Sequence, residues 1–532
     1  MSKAGNSTMN NGSSRRRRGK RDRHALKPEP KVILHALDTE FKIESLFPIM
    51  GVIFVGVLAV MARAGFRGRL SVAGIDLGTT NSVVCVQALS SSVGEIECIN
   101  DPGTGSPLIP SVVSFLLDKD HKKQFSMLNI DKEKEIDVLV GYDAKQRIDS
   151  HAHSTIFHSK RFLGRDFTDE AVTEQQAEVE FDVALDIHNT VMSPSSLDGD
   201  DGGGVVFRIP HVGGDSKSDP LLVSPESIGS YIVSYLMKLT QHHLGYDNVK
   251  SAVIAVPAKF DMVQRQATAQ AFKLAGIKVA RVLEEPVAAA LAYGLHRKPN
   301  VDHILVYDFG GGTLDVSILH VSDGFVDVMA SEGDDRLGGA DFDAAAAHYL
   351  TTADNTNDQH VERLSNALKN VLGVGDEDVE ELMAEKCTKT VEIPLCHNTS
   401  FHTIGEKMKI KLSSSNTATE QCLGLGNAFL SDRKYTLDEI CDALIPVKLE
   451  MTKEQFDQSA ESLYMRSRLP IRRVLDALEL QPDEIDEVVM VGGSSRMPTI
   501  REVVKEELRV SSLNTHIDPD ITVAYGCASV ID

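Results

Sequence analysis

The chain has 532 residues, enough for more than one domain, and its 42% hydrophobic and 25% charged content is ordinary globular usage. Its formal charge of −22 is unevenly divided, because residues 1–69 carry +9 and the remainder −31. A body so acidic excludes nucleic acid as its partner, since binding to that backbone needs clustered Lys and Arg.

Residues 1–44 begin with an Arg-rich run, Arg15-Arg16-Arg17-Arg18 with Lys20, Arg21 and Arg23, too polar to pack and expected to be disordered. An apolar stretch follows, within an expected anchor or signal sequence at 45–64. Residues 45–62 hold no charged side chain and would reach about 27 Å as a helix, close to the hydrocarbon thickness. Ala62-Arg63-Ala64 has the small-x-small form of a cleavage site, so anchor and signal both stay open, as does a buried core helix. Lysines 27, 31 and 42 balance arginines 63, 67 and 69 across the stretch, and only the distal Arg cluster favours a cytoplasmic N terminus. The body would then be lumenal.

Beyond the anchor, residues 72–86 read as strand, tight turn, strand around Asp76-Leu77-Gly78-Thr79-Thr80-Asn81. The same pattern returns at 303–317 around Asp308-Phe309-Gly310-Gly311-Gly312-Thr313, which points to a duplicated domain rather than a short-period repeat. Glycines let such a turn present backbone N–H groups to an anion, Thr hydroxyls add donors, and Asp at the strand end offers hard oxygens to Mg²⁺. One copy alone would be read as a common hairpin. A third element, Glu487-Val488-Val489-Met490-Val491-Gly492-Gly493-Ser494-Ser495-Arg496, is strand then Gly-Gly, with a helix expected over 499–508. It suits a flat nucleoside with Arg496 stacked on the base, or a plain strand–helix turn. The seven cysteines, at 85, 98, 387, 396, 422, 441 and 527, contain no CxxC pair; they are read as small core residues and leave the compartment undecided.

These turns, together with Ile109-Pro110-Ser111, Val140-Gly141-Tyr142-Asp143, Glu284-Glu285-Pro286 and the segments at 254–266 and 337–343, resemble the ATPase domain of the heat-shock-70 family, in family order over about 71–532. The likeness is greatest to the microsome-associated type, an ATPase core lacking a peptide-binding domain, and no such domain is expected after residue 532. The resemblance implies an α/β, two-lobed actin-like fold: duplicated mixed sheets with flanking helices around a nucleotide cleft. It sets a first lobe at about 70–300, a second at about 301–515 and a closing helix at about 518–532. Segments 169–224 and 351–400 are read as insertions, the first, with Asp198-Gly199-Asp200-Asp201-Gly202, as a surface loop.

The resemblance also implies roles. Gly78, Thr79, Thr80 and Asn81 would hold phosphates from one lobe, and Gly310, Gly311, Gly312 and Thr313 from the other. Asp76 and Asp308 would lie near Mg²⁺, mostly through its waters, and Asp315 would help place a monovalent cation such as K⁺, or water. Lys160 matches the family's catalytic lysine, Glu285 the carboxylate that orients the attacking water, and Asp308 and Thr313 complete the catalytic set. Without the resemblance, Lys160 is a surface charge and Glu285 a helix N-terminal acid. The nucleoside pocket would comprise Glu406, Lys409, Ser413, Gly492, Gly493, Ser494, Arg496 and Asp520.

The chain departs from the family pattern at Ile410, where an arginine usually packs on adenine, at Lys259, usually tyrosine, and at Ala340, usually an acid. Loss of one stacking cation weakens nucleotide binding by roughly 1 kcal/mol. Pro257, Arg265 and Arg281 match residues that relay nucleotide state, and are expected here as packing or as contacts for a partner in trans. J-domain co-chaperones and nucleotide exchange factors are the implied partners of an expected monomer. Three functions remain: a slow ATPase binding ATP/ADP at a membrane, a non-enzymatic nucleotide-binding adaptor, and a small-molecule kinase of the same fold. No acidic base marks the last. Asn398-Thr399-Ser400 is a glycosylation-type tripeptide that bears on a lumenal location.

Overall fold

The computed structural model describes residues 72–87, 95–116, 128–131, 136–148, 151–187, 203–210, 220–245, 249–352, 393–426 and 436–531, residues 51–57, and a few single positions. The chain divides into Met1–Gly68 and Arg69–Asp532. In the first unit, residues 51–57 are helical and exposed, while the basic head and most of the expected anchor at 45–64 lie outside the described residues. Among the described residues, no helix is long and apolar enough to cross a membrane.

Apolar β-branched runs make the strands of the body. The first sheet contains β1 (Val72–Asp76), β2 (Asn81–Gln87), β3 (Ile96–Cys98), β4 (Ser251–Val256) and β5 (Lys278–Glu284), in the order β5-β4-β1-β2-β3. The second contains β6 (His303–Phe309), β7 (Leu314–Ser322), β8 (Phe325–Asp334) and β9 (Glu487–Val491), in the order β8-β7-β6-β9. β1 runs antiparallel to β2 and parallel to β4, and β6 runs antiparallel to β7 and parallel to β9. The order β4-β1-β2-β3 therefore matches β9-β6-β7-β8, which is the duplication that the repeated turns predict.

Helices cover these sheets, so the central strands are buried along almost their whole length. In the first lobe they are α1 (Pro225–Leu244), α2 (Met262–Leu274) and α3 (Glu285–Ala292). α1 starts at Ser224, whose side chain accepts from the Ser227 N–H, and ends at Gly245 in the left-handed conformation; α2 opens with an Asp261/Gln264 capping box. The later helices include α4 (Gly339–Thr352), α5 (Asn398–Leu412), α6 (Glu461–Leu478), α7 (Pro498–Leu508) and α8 (Thr522–Ser529). Each lobe has its own core, one around Ile75, Phe162, Phe207 and Ile232, the other around Tyr307, Phe309, Phe342 and Met408. A third cluster, with Val253, Ala288, Val306, Val489 and Val523, draws on both sheets, α3 and α8, and joins the lobes.

Two expectations are corrected. The segment at 169–224 is not merely a surface loop: Glu170–Gln176 is helical, and Asp182–Leu185, Val205–Ile209 and Leu221–Val223 form a three-stranded sheet. Phe181, Val183, Val205 and Phe207 are buried, so its apolar runs outweigh its polar middle, and residues 198–202 lie outside the described residues. Most of 353–392 also lies outside them. The cysteines are buried but mostly not single: Cys85–Cys98, Cys387–Cys441 and Cys396–Cys422 are disulfide-bonded, and among the seven only Cys527 is free. Register explains the first pair, because Cys85 on β2 faces Cys98 on β3.

α8 returns the chain to its beginning. A Cβ at Gly74 on β1 would lie 2.3 Å from the Ala528 N, and one at Gly526 on α8 would lie 1.8 Å from the Ala288 O on α3. No side chain fits between these backbones. Gly526→Ala is expected to lower unfolding stability by about 3 kcal/mol or more, read from the denaturant midpoint. An unchanged midpoint would show that the helix can retreat at no cost.

Candidate nucleotide site

The two repeated turns meet. Gly78 makes the first turn tight, since a Cβ there would lie 2.0 Å from the Asn81 O. The Ser111 hydroxyl donates to the Gly78 O at 2.8 Å, and the Ser111 N–H donates to the Thr80 O, also at 2.8 Å, bracing the loop from just beyond the short strand Ile109–Pro110. The second turn closes through the Gly310 N–H to the Thr313 O at 3.0 Å. Across the cleft, a Cβ at Gly311 would stand 3.0 Å from the Thr80 Oγ1, so the loops of the two lobes touch at van der Waals range. One cavity is lined by Asp76, Gly78, Thr79, Thr80 and Asn81 from the first lobe and by Asp308 and Gly310–Thr313 from the second.

Lys160 lies on this cavity in a 3-10 turn, Ser159–Phe162, with its side chain 8% exposed, so it is no surface charge. Its Nζ donates to Glu285 Oε1 at 2.7 Å. Burial alone would lower the ammonium's pKa, but Glu285 first and then Asp76 and Asp308 more than offset this and raise it. Glu285 opens α3, so it is both a helix N-terminal acid and the partner of Lys160. Asp76 and Asp308, at the ends of β1 and β6, are half-buried. Burial, with added repulsion from Glu285, pushes Asp76 up to about 7 and Asp308 well above its ordinary value. Asp315 is raised by burial, against the pull of Lys259, whose Nζ is 3.0 Å away.

The third element seats beneath the second turn. Gly492 has φ +79°, and a Cβ there would lie 2.4 Å from the Phe309 O. The Ser494 hydroxyl donates to the Gly310 O at 2.8 Å. Beside it opens a cavity of about 770 Å³ lined by Glu406, Lys409, Ile410, Ser413, Gly493, Ser494, Arg496 and Asp520, so the expected nucleoside residues come together there except Gly492, which lines the cavity of the two turns. Arg496 is fixed there by Asp520, at 2.7 Å, and by Asp518. Lys409 donates to the Gly339 O at 3.0 Å and pairs with Asp343 at 2.7 Å; burial, opposed by Lys409, pushes the Asp343 carboxyl to about 6. Ile410 is 60% exposed on this wall.

Arg265 is packed structurally. It donates to the Phe260 O and Ala258 O and pairs with Glu284 at 2.8 Å, fixing the loop that follows Pro257. Two residues were missed in the sequence. Arg161 donates to the Gly312 O at 3.2 Å and to Gln175 Oε1 at 2.6 Å, and Arg336 of the second lobe pairs with Glu174 of the first. Arg161 stands next to Lys160 and its place in that motif could have flagged it. The Arg336–Glu174 pair left no local signal.

Among the described residues, no three His, Cys, Asp or Glu side chains are grouped closely enough to hold a metal ion by themselves. Asp76 and Asp308 still suit Mg²⁺, because they are hard, half-buried oxygen donors with no ion pair of their own among the described residues, and a cation shared with phosphate would relieve them.

The fold and the paired turns define a two-lobed ATPase domain of the actin type, with a glycine turn from each lobe facing one cleft. Comparison is more specific. The Hsp70 protein family profile matches residues 72–416 and 376–531, and this chain belongs to the Hsp70 family. It is 34% identical over 465 residues to Heat shock 70 kDa protein 13 of Homo sapiens, covering 86% of this chain and 87% of that one. It is 35% identical to the mitochondrial iron-sulfur cluster biogenesis chaperone of Saccharomyces cerevisiae and 34% identical to the chaperone protein dnaK of Thalassiosira pseudonana. The matches cover 86% of this chain in both cases, but only 58% and 61% of those two proteins.

His158, just before Lys160, has φ +53° and a ring stacked edge-on against Phe157. Burial, and then the Arg161 guanidinium, push its imidazole down to about 4. A neutral ring is thus favoured in the fold, and its contribution is full above the ordinary value near 6.5 and lost as pH falls towards 4. Stability should drop by about 1–3 kcal/mol over that window, the lower end applying where water reaches the ring. His158→Asn, which tolerates the left-handed backbone, should remove that share of the pH dependence in denaturant titrations. An identical pH profile in the variant would refute this assignment.

Proposed function

We propose that this protein is a slow, Mg²⁺-dependent ATPase with a chaperone-like role. The observation that supports it most is the meeting of both glycine turns over a buried Lys160–Glu285 pair. Backbone N–H groups of 78–81 and 311–313 would receive the β- and γ-phosphates, with the hydroxyls of Thr80 and Thr313 as further donors. The Lys160 ammonium has three donors and keeps one on Glu285, leaving others for the γ-phosphate. Glu285 would accept a hydrogen bond from the attacking water, whose oxygen bonds to the γ-phosphorus as the bond to the β–γ bridging oxygen breaks, giving ADP and phosphate. Mg²⁺, when bound, supplies positive charge between the phosphates; Asp76 and Asp308 would hold it, mainly through water. The 770 Å³ cavity would take the nucleoside, with Arg496 on the base and Ile410 offering no stacking cation.

The location we infer is the endoplasmic reticulum membrane with a lumenal body. The charged head, the apolar run at 45–62 and three disulfides fit an oxidising compartment. Co-chaperones of the J-domain or exchange-factor kind would be its partners. Protease should spare the body in sealed microsomes and digest it after detergent; digestion in sealed vesicles would overturn the lumenal location.

Turnover by the full chain tests the enzymatic reading. Lys160→Ala and Asp308→Ala should each reduce ATP hydrolysis by roughly 10²-fold or more, as for lost electrostatic groups elsewhere. Equal phosphate release by all three proteins would reject it, and ATP binding without release would favour the adaptor.

A further inference from the structure

Lys259 stands at the far end of the row of cleft carboxylates. Its Nζ is 3.0 Å from Asp315 Oδ1, and it rests over Gly333 on β8, where a Cβ would come within 2.5 Å of Nζ and 2.8 Å of that same Oδ1. The bare backbone at 333 thus leaves room for this ion pair. The lysine is held from its own side as well, because Arg265 ties the Ala258 and Phe260 carbonyls to Glu284 on β5. Lys160 faces Glu285 and Lys259 faces Asp315, which leaves Asp76 and Asp308 as the two carboxylates without a lysine of their own. Two uncompensated charges correspond to one divalent ion. A free monovalent cation on Asp315, implied by the family resemblance, does not fit this arrangement, since an ammonium already occupies that carboxylate.

We propose that Lys259 is a tethered monovalent cation of the nucleotide site: its ammonium takes the place on Asp315 that K⁺ would otherwise fill, and nucleotide binding by this chain is independent of K⁺. An ammonium and K⁺ carry the same charge at nearly the same size, so the exchange preserves the field at the second phosphate turn, two residues from Thr313. Lys259 acts through Asp315 and is a positioning residue. Its ion pair is partly exposed, and the gain is that the cation is covalently attached and needs no capture from solution.

The inference rests on the nucleotide reading given above. The test is calorimetric titration of MgADP into the full chain, in K⁺, Na⁺ or tetramethylammonium chloride at one ionic strength. The wild type should bind within twofold in all three salts. Lys259→Met should bind roughly tenfold more weakly in tetramethylammonium and recover in K⁺, as expected for loss and replacement of one charged contact. Lys259→Arg should remain independent of the salt cation. A wild-type preference for K⁺ of tenfold would overturn the proposal and leave nucleotide binding standing, and so would a Lys259→Met protein indifferent to the cation. Absence of MgADP binding in every salt would remove both readings. Thermal unfolding without nucleotide checks that the variant is folded, and the wild-type series decides the matter without it.

Discussion

The structure depends on a second turn made of glycines, closely approached by first-lobe side chains on one side and by second-lobe backbone on the other. Thr80 lies over Gly311, a Cβ at Gly312 would meet Arg161 Nη2 at 2.7 Å, and a Cβ at Gly338 would lie 2.3 Å from the Gly312 Cα. At such distances only hydrogen atoms fit. The turns can therefore offer N–H groups from two sides to one anion, and each lobe's sheet exists to hold its turn at that point. The matching strand orders give the same support twice, and the apolar cluster of Val253, Val306 and Val489 lets one half rest on the other.

Electrostatics sets the second constraint. Four carboxylates, Asp76, Glu285, Asp308 and Asp315, line the cleft, and burial is the leading cause of the raised values at all three aspartates. A buried carboxylate without a counter-charge is costly. The lysines answer part of that cost in different ways. Lys160 is enclosed and close enough to be shared among several acids, whereas Lys259 is at the mouth and committed to one. The remaining negative charge makes the cleft poorly suited to a bare phosphate and well suited to one that arrives with metal.

What was legible in the sequence was local. Both strand–turn–strand units, the Gly492-Gly493 junction and the helix after it are where their apolar runs and glycines indicate, because a tight turn is specified within a few residues. The wall of the larger cavity was legible only through resemblance, for Glu406, Arg496 and Asp520 come from separate segments. Long-range pairing was not legible at all. Nothing near Cys396 specifies Cys422, and Glu174 gives no sign of Arg336, since each pair is made by the packing of distant segments. The sheet within 169–224 is hidden for another reason: glycine and aspartate at 198–204 give the segment a loop composition, while short apolar runs on either side are enough to build three strands.

α8 has a consequence for how the chain is made. Its glycine and alanines lie against β1 and α3, and the Gln87 side chain reaches the Ile531 carbonyl at 2.7 Å across 444 residues. The first lobe thus keeps a gap for a segment synthesised long after its own first strands. Until it arrives, β1 has one unprotected face, and the entropy of closing so large a loop is still to be met. Vectorial synthesis would then leave the first lobe half-finished, with apolar surface on β1 uncovered, until α8 docks.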